Sequence, residues 1–231
     1  MNTFGYCTRT VCLIMALLLP VAHCMAQTGA KGAAPSTDSD AVHRAQNLVR
    51  ITLIQNDLSD LDRLHSINPL QLTPAELKKL ITVLEGIQQR YDSSISAISL
   101  DEMNPLYADL KADLKQGLKG KTLSSDLDDK IKKALAVISA RRNVMNMQNI
   151  ADVSKALEDI LTKEQIRTAA DLEKNVHASN ENPNTTRAQW FHLWVGEVLL
   201  SYSRIIPLLQ SMEAAREPKS STANAAASGT K

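Results

Sequence analysis

The sequence predicts an all-α fold of five to six amphipathic helices. Three observations carry this. Apolar residues recur at three- and four-residue steps through most of residues 40–215. The chain has only 8 Gly, 8 Pro and 3% aromatic residues, too few turns and strand formers for a β-sandwich. Three Thr-x-x-Glu/Gln sequences stand directly before apolar runs, where a threonine hydroxyl and a Glu or Gln side chain reciprocally satisfy the first free amides of a helix.

Residues 1–26 read as a secretion signal. Arg9 supplies a short positive segment and Val11–Leu19 an apolar core. Pro20 ends that core, and Cys24-Met25-Ala26 offers small residues before a cut. The apolar run is well short of the roughly 20 residues that span a membrane. The expected location is therefore periplasmic or secreted. A lipoprotein signal is the alternative, because Val21-Ala22-His23-Cys24 has the order it needs, although His23 stands where a very small residue is usual. Membrane attachment is expected only if Cys24 is lipidated.

All three cysteines, Cys7, Cys12 and Cys24, lie within this segment. A cut after Ala26 leaves no thiol, so packing alone must hold the mature chain. The chain carries 26 Lys and Arg against 25 Asp and Glu, and loss of Arg9 makes the two equal. That neutrality argues against nucleic acid as the main partner, since neutralising phosphates needs surplus basic residues.

Residues 27–39 are small and polar and read as a flexible linker; residues 216–231 read as a disordered tail. The helical domain lies between, over residues 40–215. Its first helix is expected from Asp40 to His65, with Leu48, Ile51, Ile54, Leu58, Leu61 and Leu64 on one stripe. Asn68-Pro69 breaks it. The second begins with Thr73 as cap, Pro74 at the first helical position and Glu76 closing a capping box, while Leu72 and Leu77 are placed as a hydrophobic staple. Its stripe runs through Leu80, Ile81, Leu84, Ile87 and Tyr91 to about Ile98. A shorter helix after Asn104-Pro105 carries Leu106, Leu110, Leu114 and Leu118, and Gly120 suits a left-handed residue past its end.

From Ser125 to Leu161 the apolar phase fits either one long helix or two with a kink near Asn149. Thr162 and Gln165 form the second box, with Leu161 and Ile166 as staple, and that helix continues through Val176. After a loop over residues 177–186, Thr186 and Gln189 open the last helix. It carries Trp190, Trp194, Val198, Leu199, Ile205 and Leu209, and Pro207 is expected to kink it.

Leu72-Thr73-Pro-Ala-Glu76 and Leu161-Thr162-Lys-Glu-Gln165, in a cysteine-poor, signal-bearing helical chain, resemble the bacterial periplasmic LTxxQ family of Spy, CpxP and zinc-resistance-associated proteins. Glu76 stands where that family has Gln. The resemblance implies an elongated, hairpin-based bundle or cradle that forms a homodimer, which binds unfolding clients or modulates envelope stress without ATP. The alternatives are a structural or assembly factor of the envelope that docks on one partner, and a metal-binding protein.

No phosphate-binding glycine loop, zinc-protease helix or serine-hydrolase elbow is present, so neither an enzyme nor a cofactor is expected. For metals, His65 three residues from Asp62 and His177 four from Glu173 are weak candidates, with solvated helix faces as the ordinary reading. Trp190 and Trp194 share a face. Core packing is the ordinary reading there, and an exposed aromatic patch for a partner the alternative.

Overall fold

The computed structural model describes residues 38–122, 124–178 and 184–217, and no strand occurs among them. The expected signal, Cys24, all but the last two residues of the linker, and residues 218–231 lie outside the described residues. The described chain is all-α. Its helices are α1 (Asp38–Ile67), α2 (Pro74–Met103), α3 (Tyr107–Gly117), α4 (Ser125–Ile160), α5 (Lys163–Val176), α6 (Arg187–Trp194) and α7 (Ile205–Arg216), with a π-helical run Val195–Leu200 continuing α6. No helix among the described residues is long and apolar enough to cross a membrane.

Chain contacts divide the molecule after Ile54. The described part of the first unit is the N-terminal half of α1. The second unit, from Gln55 onward, holds the hydrophobic core. There α2 packs against both α4 and α7, and α5 packs against α6. The ion pairs Arg90–Asp152 and Glu102–Arg141, both 3.6 Å, show that α2 and α4 run antiparallel: twelve residues forward on α2 correspond to eleven back on α4. A helical hairpin is thus the frame of this unit, with α3 in the connection that joins its arms.

The core has Leu77, Leu80, Ile81, Leu84 and Ile87 from α2, Val153 and Leu157 from α4, and Ala169 and Ala170 from α5. Trp190, Phe191 and Trp194 of α6 join it, followed by Val195, Val198 and Leu199 of the π-helical run and Leu208, Leu209 and Met212 of α7. Burying a side chain of this size contributes about 1.5–3 kcal/mol. Trp194 is 1% exposed and Trp190 6%, so the alternative of an exposed aromatic patch does not hold.

All three capping boxes form with both reciprocal hydrogen bonds. Leu72 and Leu77 are buried as the staple requires, and Gly120 takes φ +80° beyond the end of α3. α4 is one continuous helix of 36 residues, which decides between the two readings of that stretch.

Four details differ from the sequence reading. α2 extends past Ile98 to Met103 and passes through the 3-10 turn Asn104–Leu106 into α3, so Asn104-Pro105 bends the path without interrupting helicity. The final helix breaks before Pro207, not at it. Pro207 sits in the first turn of α7, where its missing N–H removes no helical bond. α7 also reaches Arg216, one residue into the segment expected as a polar tail. Its guanidinium donates to the Leu72 carbonyl at 2.6 Å and to Asn68 Oδ1 at 2.8 Å, which ties down that helix end. Finally, the stripe on α1 is largely uncovered: Leu48, Ile51, Ile54, Leu58 and Leu61 are all more than half exposed, and only Leu64 packs against the core.

Candidate functional site

The two Leu-Thr boxes meet. Within the first, the Thr73 amide donates to Glu76 Oε2 at 2.7 Å, and the Glu76 amide to Thr73 Oγ1 at 3.2 Å. The second repeats this, with Thr162 N to Gln165 Oε1 at 2.7 Å and Gln165 N to Thr162 Oγ1 at 3.2 Å. Gln165 then uses its amide nitrogen to reach distant segments: Nε2 donates to the Leu70 carbonyl, 95 positions away, at 3.1 Å and to Glu76 Oε2, 89 positions away, at 3.5 Å. Glutamine at 165 and glutamate at 76 are therefore complementary. One supplies a donor, the other accepts, and two glutamates here would repel.

Gln71, immediately before the first box, is left-handed at φ 51°, which lets Leu70 and Leu72 both enter the core. Partial burial works to raise the Glu76 carboxyl, but hydrogen bonds from Thr73 and Gln165 outweigh it and hold the group below its ordinary value. Leu72, Thr73, Glu76, Leu161, Thr162 and Gln165, the residues of the two boxes, thus lie at one structural clasp between the start of α2 and the start of α5.

A second cluster joins α5 to the π-helical run. Glu173 is 4% exposed, and its Oε1 lies 2.9 Å from His177 Nε2. The same nitrogen is 3.5 Å from Glu197 Oε2. One ligand atom from each of the three groups lies within 4.8 Å of the others. His177 stacks on Trp190, with ring centroids 6.0 Å apart and planes 22° from parallel, so the imidazole is braced by a buried ring. Burial and then the nearby charge of Glu197 raise the Glu173 carboxyl, against the opposing pull of His177.

Glu197 was not legible as a partner. It comes from another element, and its position depends on the π-helical register, closed by the Ser201 amide on the Gly196 carbonyl at 2.9 Å. His65, by contrast, is exposed with Asp62, and among the described residues no third metal-ligating group joins them.

A third polar cluster anchors the C-terminal half of α1. Asp60 accepts from the Tyr202 hydroxyl and from the Arg204 guanidinium at 2.8 Å, while Arg63 sits 5.5 Å over the Tyr202 ring. These residues explain why the lower part of α1 is held.

Among the described residues, α1 carries the most exposed large apolar side chains of any helix. Val42, Leu48, Val49, Ile51, Leu53, Ile54, Leu58 and Leu61 are between 51% and 63% exposed. They occupy two faces. Leu48, Ile51, Ile54, Leu58 and Leu61 fall on one, and Val42, Val49 and Leu53 lie roughly half a turn away on the other. Leu114 and Leu118 near the end of α3, and Val144 and Met147 on α4, add smaller exposed groups.

No family model matches the chain, and no curated protein or solved structure matches it.

Proposed function

We propose that this chain is an exported, non-enzymatic helical protein that holds other proteins, as an ATP-independent periplasmic chaperone related to the LTxxQ proteins. The observation that carries the reading is α1. A helix apolar on opposite faces is ordinarily buried on both. Here residues of both faces are exposed within the first unit, Val42, Leu48, Val49, Ile51, Leu53 and Ile54, and Leu58 and Leu61 are exposed in the second. Unfolding chains expose the same kind of surface, and apolar contact is non-directional, so one such helix suits many clients. The near-equal count of acidic and basic side chains is consistent with protein clients and gives no footing for nucleic acid.

The LTxxQ reading rests on the sequences of the two boxes, Leu72–Glu76 and Leu161–Gln165, which meet through Gln165. The direct test is light scattering from a client denatured in the presence of the purified chain. Suppression at stoichiometric amounts, reduced by Ile51→Asp and Leu58→Asp together, is the expected outcome. Absence of suppression, with one dominant protein recovered at fixed stoichiometry from envelope extracts, would instead make the chain an assembly factor. A shift from dimer to monomer in the double variant, with client binding unchanged, would assign α1 to a second copy of the chain.

A further inference from the structure

The Glu173–His177–Glu197 cluster has a feature that helix capping and core packing leave unexplained. Two carboxylates converge on a single imidazole nitrogen, at 2.9 and 3.5 Å, and one of them is almost completely buried. One N–H proton points in one direction. It serves Glu173 well and Glu197 poorly, and it leaves a second carboxyl group beside the buried one. A cation between the three groups is attracted by both carboxylates and by the nitrogen lone pair at once.

The dimensions fit. Tetrahedral ligands 2.0–2.2 Å from zinc stand roughly 3.3–3.6 Å from one another, and the three ligand atoms here lie within 4.8 Å of each other, so shifts of about an ångström or less bring them into place. The scaffold is also suited. Glu173 is fixed in the α5 core face, and His177 is braced by Trp190. Glu197 comes from a π-helical run, a geometry often found at functional sites. Its side chain is 52% exposed, which gives an ion a way in and leaves room for water as a further ligand.

We propose that Glu173, His177 and Glu197 bind a first-row divalent metal ion, of which zinc best matches a mixed imidazole and carboxylate donor set. The site joins the end of α5 to the run that follows α6, so metal binding also cross-links these two elements. This inference does not depend on client binding, because none of the three residues belongs to α1.

Calorimetric titration of the chelator-stripped full chain with zinc chloride tests it, with thermal unfolding measured alongside. One-to-one saturable binding is expected, together with a rise in unfolding temperature. Glu197→Gln should weaken binding at least tenfold, and His65→Ala should leave it unchanged. Glu197 is the deciding position because its exposed side chain can be changed without opening the core, and circular dichroism verifies that the variant remains folded. No saturable heat up to about 1 mM zinc, beyond which a specific site would be weaker than about −4 kcal/mol, overturns the proposal. So does zinc binding that survives both Glu197→Gln and Glu173→Gln.

Discussion

At the scale of single residues, the clasp between the two boxes separates what a sequence can reveal from what it cannot. Each box is local: a threonine and the side chain three residues on satisfy each other's amides, and spacing alone discloses that. The third bond of Gln165, to the Leu70 carbonyl, joins distant segments and has no local signal. Gln165→Ala should therefore cost more than Gln189→Ala, whose bonds are confined to its own cap, by about 1 kcal/mol for the extra hydrogen bonds. Urea unfolding of the two variants measures the difference. Glu76 gives a pH prediction. Its carboxyl is held below its ordinary 4.5 in the folded chain. The folded state therefore binds that proton less readily than the unfolded one, and the contribution is complete above the unfolded value. It is lost as pH falls through the lowered folded value. Glu76→Gln should flatten the acid side of the stability profile in that window and leave the neutral side sloping as before. Midpoints of urea unfolding between about pH 3 and pH 7 check this.

At the scale of elements, periodicity located the helices well and their surroundings poorly. The stripe on α2 and the stripe on α1 look alike in sequence, yet Leu77, Leu80 and Leu84 are buried while Leu48, Ile51 and Leu58 are exposed. A repeat of apolar residues says which face seeks cover, not whether the chain supplies it. The π-helical run was missed for a related reason. Val195–Leu200 reads as ordinary helix, and only the Ser201–Gly196 bond reveals the wider turn that sets Glu197 against His177. The end of α7 was misjudged because Arg216 resembles the polar residues after it. Its two bonds, to the Leu72 carbonyl and Asn68, predict that Arg216→Ala destabilises the chain by about 1–2 kcal/mol, as expected for charged hydrogen bonds that are partly exposed. Arg216→Lys should restore little, because a single ammonium cannot copy a fork that serves two acceptors. In the core, Trp194→Ala should cost about 3–5 kcal/mol, the range for removing a fully buried large aromatic side chain. Chemical denaturation reads both effects.

At the scale of the whole molecule, the all-α class was legible from composition and capping, and the antiparallel pairing of α2 and α4 agrees with the expected hairpin. The proposed function was less legible, because holding another protein needs an uncovered surface and no particular reactive group. The export reading has its own check. Fusing residues 1–39 to a phosphatase that folds only outside the cytoplasm should give an active reporter, and Leu17→Arg with Leu18→Arg in the apolar run should abolish it. The central claim is that α1 captures unfolding proteins through its two apolar faces. It is tested most directly by light scattering from a heat-denatured client, with the full chain compared to a variant carrying Val49→Asp, Ile51→Asp and Leu58→Asp. The account predicts that the unaltered chain suppresses scattering at a one-to-one ratio, and that the variant, with its helicity and unfolding midpoint unchanged, loses most of that suppression. Equal suppression by both proteins, or none by either, would contradict it.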